Sequence, residues 1–200
     1  MPLSLEDAHV FLPKYLSPAD RAELFSELSR LPQTHSYYGT VEDDAPYQGD
    51  GWSAVDFFDV DVGKRRRVRA VIISNTCDIA PDNTRTRPMR VCVSPIIRIS
   101  RLVNELEMAG VAPGAIADHL ETLRRQEISN MFYLPAGASL EEESVVMFDN
   151  LQSLANATFF ENQQKVRLFS LSQAGFWYFL LKLAIHFCRA NEGVARKSAA

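Results

Sequence analysis

Arg67 and Arg69 stand two positions apart in the run Lys64-Arg65-Arg66-Arg67-Val68-Arg69, the stretch of the sequence with the plainest chemistry. A guanidinium is a permanently charged, planar fork that matches phosphate and carboxylate oxygens. From Lys64 to Arg101 there are ten basic and two acidic residues, a local balance of +8. The whole chain carries 21 basic and 25 acidic residues, so everything outside that window sums to -12. A near-neutral total therefore hides an anion-facing centre between acidic flanks. Lys64, Arg65, Arg66, Arg85 and Arg87 are the residues expected to grip a polyanion, with Arg67 and Arg69 set to oppose charge at a reacting centre. The competing reading is a solvated basic turn that docks an acidic partner protein.

Ser74-Asn75-Thr76-Cys77-Asp78 is the densest polar group in the chain. It follows an apolar run directly, which places it at a strand end, where sites are often built. Cys77 could act as a nucleophile and Asp78 as a base. A neighbouring carboxylate raises a thiol's pKa, however, and a thiol nucleophile needs a histidine brought in from elsewhere: His35, His119 or His186. The structural alternative is a small buried cysteine in a turn held by Asn75 and Asp78. His119 has Asp118 and Glu121 nearby, but these point to different helix faces and make no metal set. No metal or cofactor is expected.

The elements that must position these groups can be read from periodicity. Ser17, Pro18 and Asp20 open a helix whose apolar stripe, Leu24, Phe25, Leu28 and Leu31, runs to Pro32. Gln33 to Gly51, with its acidic cluster Glu42, Asp43 and Asp44, reads as a mobile loop. Trp52 to Val62 alternates as a strand with a slip between Phe57 and Phe58, as a bulge requires. Gly63 and the basic run then read as a turn. Val68 to Ser74 is a β-branched strand buried on both faces, and Met89 to Ile99 is a strand in which Pro95 argues for an edge or a break. Helices are expected over 100–108 and 113–130, a short aromatic segment over 131–135, strands over 144–148 and 151–159, and a last helix to about Arg189 capped by Ser170 or Ser172. The tail from Asn191 is expected to fray.

Two hundred residues suit one domain: an N-terminal helix and acidic loop (1–48), barrel strands (49–99 and 144–160), a helical insertion (100–130) and a C-terminal helix (170–190). This is an α+β pattern, mainly β, whose short twisted strands suggest a small barrel. Three widely spaced cysteines with no CxxC pair point to a reduced, cytoplasmic setting, and Met1 to Val10 has no signal-peptide core. Ala174 to Cys188 is apolar but too short to cross a bilayer, where about 20 residues are needed. Phe176, Trp177, Tyr178 and Phe179 surround this helix, which must be covered by the barrel or by another chain, in a homodimer or a heteromer.

The block Gly49 to Asn75, followed by Val91 to Ile96, resembles the PemK/MazF family of bacterial toxin-type endoribonucleases. The likeness lies in Gly49-Asp50 before an aromatic strand ending in Asp56-Phe57, the glycine turn at Gly63 with basic residues after it, the strand Ala70-Val71-Ile72-Ile73-Ser74, and the V-x-P-I type ending. Ser144 to Ser153 with the following helix is similar to the family's closing strand and C-terminal helix. The resemblance covers about half the chain. It implies an SH3-like barrel, metal-free RNA cleavage and an antitoxin partner. The family's catalytic Arg-Pro step would fall on Val68 and Arg69, with Arg67 and Arg69 flanking it, and its Ser or Thr on Ile97. Such cleavage needs a base for the 2'-hydroxyl and a cation for the phosphorane. The expectation is therefore an RNA-binding, toxin or defence-type protein. The alternative is a non-catalytic interaction module on the same barrel.

Overall fold

A computed structural model describes residues 36–83, 86 and 88–188. The expected first helix, His35, Arg85, Arg87 and the expected frayed tail lie outside the described residues. Within them the chain runs β1 (Tyr38–Gly39), β2 (Gly51–Asp59), β3 (Lys64–Ile72), α1 (Thr76–Ile79), β4 (Arg90–Arg98), α2 (Ile99–Met108), α3 (Pro113–Arg124), β5 (Met131–Leu134), β6 (Ser144–Met147), β7 (Gln152–Ala155), α4 (Asn156–Phe160), β8 (Arg167–Leu171) and α5 (Gln173–Cys188). All the strands pair antiparallel in the order β1-β8-β2-β3-β4-β6-β5, with β7 added on β4. The class is α+β, as the patterning implies. The path does not close: β1 and β5 end it without pairing to each other.

Two cores lie against the sheet. Ala70 and Ile72 of β3 face a smaller one with Trp52, Val55, Val91, Val93, Leu154 and Phe159, which α1 and α4 help to cover. Val71 and Ile73 face a larger one with Phe132, Phe148, Phe169 and Phe179. The β-branched run is thus buried on both faces, as its lack of polar alternation demands. Phe132, Phe148 and Phe179 are fully enclosed. Each contributes on the order of 1.5–3 kcal/mol by burial alone.

Several boundaries differ from the expected ones. β3 begins at Lys64, so the basic run is a strand and not a turn. The β2 bulge falls between Trp52 and Val55, where Ala54 has φ 52°, while Phe57 and Phe58 pair in regular register with Arg66 and Arg65. Phe58 is simply an exposed aromatic at the end of a strand. Val60 and Val62 continue the apolar rhythm into the turn and remain exposed. The segment 151–159 splits into β7 and α4. α3 stops at Arg124 because Gln126 takes a left-handed φ of 60°, with its amide bonded back to Leu123. Ser172, rather than Ser170, caps α5: its Oγ accepts from the Gly175 amide at 3.1 Å.

The acidic loop before β2 is tied down. Arg167 donates to the carbonyls of Asp43 (2.7 Å) and Ala45, stacks over Trp52 with its guanidinium 5.1 Å from the ring centroid, and pairs with buried Asp50 at 3.2 Å. Burial pushes the Asp50 carboxyl up to about 6, against the Tyr47 amide, the Ser170 hydroxyl and the Arg167 charge, which pull it down. At the far end, Lys182 of α5 is almost wholly buried and donates to the carbonyls of Gln126 (2.6 Å) and Ile128 (2.5 Å) beyond α3. Tyr178, Phe179 and Leu181 share its buried face, so the fold itself covers much of α5. No helix among the described residues is long and apolar enough to cross a membrane.

Candidate functional site

The site is built by the way β3 and β4 part. Their ladder consists of Ala70↔Pro95, Val71↔Ser94 and Ile72↔Val93 and goes no further toward the start of β3. Proline has no amide to donate. Beyond Pro95, β4 turns its pairing to β6 through Ile96, Ile97 and Arg98. The first half of β3 keeps only its β2 neighbour, and its other edge is left open. A groove of about 570 Å³ fills the gap, lined along β3 by Arg66, Arg67, Val68 and Arg69 and along β4 by Pro95 to Arg98. Phe57 to Asp61, Arg101 and Asn150 to Gln152 complete it. The Gln152 side chain accepts from the Phe58 amide at 2.7 Å and so ties the β7 wall to the hairpin.

Five arginines and two aspartates line this groove, which leaves it cationic. Asp56 of β2 takes Arg65 at 2.9 Å and Arg67 at 3.9 Å, while Asp59 takes Arg66. Arg98 pairs with Glu142 at 3.1 Å and Glu141 at 3.4 Å, and Arg101 with Glu105 at 2.8 Å. The hairpin pairs have exposed arginines on largely buried aspartates, whereas the pairs of Arg98 and Arg101 with glutamates lie in solvent, are worth about 0.2–1 kcal/mol each, and yield more readily to a better anion. Arg69 differs: among the described residues its guanidinium makes no ion pair, and it is half-buried. Burial first, and then the charge of Arg98, pull its pKa below the ordinary arginine range. Glu142 and Glu141, which pair with Arg98, oppose that shift from beyond ion-pair distance of Arg69.

Of the residues expected from the sequence, Arg66, Arg67 and Arg69 share the groove. Lys64 and Arg65 precede them on the exposed start of β3. Cys77 and Asp78 lie outside the groove lining, on α1. There the polar cluster works as a turn. Asn75 Oδ1 caps α1 by accepting from the Cys77 amide at 2.9 Å, Ser74 Oγ accepts from the Cys92 amide at 2.7 Å, and Thr76 Oγ1 accepts from the Gln48 amide at 3.0 Å. Cys77 is exposed, and among the described residues its hydrogen bonds run through its backbone, to Asn75 and Asn83, with no histidine as a partner. His119 sits on α3 and His186 on α5. Ile97, where the resemblance places a hydroxyl, lines the groove as an apolar side chain.

Arg98 and Arg101 are the charged groove residues that sequence reasoning did not single out. The signal was present in the proline inside β4, but its consequence, two strands separating to open a charged slot, needs the pairing partners of both. Among the described residues there is no cluster of three or more His, Cys, Asp or Glu side chains suited to a metal ion. Neither a family model nor a curated protein sequence matches the chain.

Proposed function

We propose that the groove between β3 and β4 binds RNA as an extended, single-stranded polyanion, in a protein of the PemK/MazF-like toxin-antitoxin or defence type. The observation that carries the reading is the gathering of Arg66, Arg67, Arg69, Arg98 and Arg101 along one slot beside exposed aromatic and apolar side chains, Phe58 and Val60. Arginines neutralise phosphates, and an aromatic face gives bases a surface to stack on. The antiparallel run β2-β3-β4 with β7 added on β4 is what supports an SH3-like barrel as the finer description of the fold. In the cleaving form of this proposal, Arg67 and Arg69 supply the cations for the phosphorane, and the base is a carboxylate of the groove lining, Asp61, since Asp78 lies outside that lining.

One observation favours a second reading, the interaction module. The open edge of β3 offers unpaired backbone groups between charged side chains, a template for an acidic peptide that adds as a strand. An antitoxin segment has that chemistry, and a homodimer or heteromer through α5 is compatible with its half-buried Phe176 and Trp177. The two readings separate by salt titration against single-stranded RNA. With five phosphate contacts the slope of log K against log salt is about -3.5, so affinity falls about 100-fold between roughly 50 and 200 mM. Absence of RNA binding at the lower salt, with capture of an acidic peptide, supports the second reading instead. RNA shortening in the same samples reports cleavage.

A further inference from the structure

Arg69 and Arg98 reach the groove from opposite strands, the one from β3 and the other from the end of β4, and both line it. Like charges brought together in a half-buried slot are unfavourable unless an anion joins them. Arg69 has no carboxylate partner among the described residues, and Arg98 has two, both from the loop between β5 and β6. That loop has a firm base. Glu143 takes both Arg124 nitrogens (2.9 and 2.6 Å) and the Tyr133 hydroxyl (2.6 Å), and its carbonyl accepts from the Ile99 amide at 2.9 Å. From this anchor Glu141 and Glu142 project toward Arg98. The grip of Glu141 is light, its side chain being 84% exposed, while Glu142 is more covered at 35%. The arrangement is two cations served by the same two carboxylates: Glu141 and Glu142 pair with Arg98 and act on Arg69 only from beyond ion-pair distance.

We propose that Arg69 and Arg98 form a two-guanidinium seat for one phosphate group, and that Glu141 and Glu142 are its resident competitors, released from Arg98 when phosphate enters. Bidentate guanidinium contacts to phosphate exceed two exposed glutamate pairs in geometry and charge, so exchange favours the ligand. The proposal rests on the groove being an anion-binding face, as argued above, but it requires phosphate and not RNA in particular.

The test compares wild type, E141Q/E142Q, R98A and a charge-matched control, E121Q/E127Q, which alters the carboxylates around Arg125 just past α3, outside the groove lining. Two probes are titrated: a labelled single-stranded RNA and inorganic tripolyphosphate. Removing the competitors is expected to tighten both by about fivefold, from two exposed pairs of middling strength, while R98A weakens both by about tenfold. The control stays at the wild-type affinity. Tripolyphosphate binding that tightens in E141Q/E142Q while RNA fails to bind upholds the seat and removes RNA as its ligand. RNA binding that is equal in wild type and E141Q/E142Q, or tightened equally by the control, overturns the seat and leaves the RNA reading standing. Failure of every variant to bind either probe overturns the seat.

Discussion

Replacing Lys182 with methionine removes a charge from one of the driest positions in the molecule while keeping the side chain's length. Lys182 is 2% exposed, and among the described residues its ammonium is satisfied by the Gln126 and Ile128 carbonyls alone. Burial lowers its pKa from 10.5 to about 8. Between these values the folded protein has released the proton and the unfolded chain still holds it. The unfolded state then binds more protons, so stability rises with pH across the window. The slope is about 1.4 kcal/mol per pH unit, or roughly 2.7 kcal/mol between about pH 8 and 10. Urea unfolding at several pH values measures it, and the difference between wild type and K182M cancels the other titrating groups. Among these are buried Tyr37, Tyr133 and Tyr178 and half-buried Tyr38, whose raised pKa values act in the opposite direction above about pH 10. K182M is expected to lack the wild-type rise. Parallel stability curves for the two proteins over this window would refute the reasoning.

Asp50 gives the mirror case at acid pH. Its carboxyl titrates near 6 in the fold, above an ordinary aspartate, so its stabilising contribution is full below about pH 4 and is lost as pH rises through 6. D50N is expected to flatten that part of the stability profile, which thermal melts from pH 4 to 6 would show. Gly51 is a steric prediction: a Cβ there would stand 2.3 Å from a Phe169 ring carbon. Because Phe169 is buried in the main core, G51A should cost about 1–3 kcal/mol by urea unfolding.

What the sequence showed and what it hid follow from range and chemistry. The run Val68 to Ser74 declared a doubly buried strand because β-branched residues without polar alternation have few other homes. The start of that strand was hidden because Lys64 to Arg67 are all charged, and a period of two cannot show in four like residues. Their strand state depends on Asp56 and Asp59 across the hairpin. The split of 151–159 was hidden because an apolar run of that length suits a strand and a helical turn equally. The Asp50–Arg167 pair joins residues 117 positions apart, and no local pattern reports it. The arginines of the site were legible as a charge anomaly. Arg98 was not, because its place in the groove comes from the change of partner at Pro95.

The most direct test is the salt dependence of single-stranded RNA binding by wild type and by R67A/R69A. The groove account expects tight, salt-sensitive binding by wild type and, in the double variant, at least about tenfold weaker affinity with a slope shallower by about 1.4. Identical affinity and slope for the two proteins would contradict it.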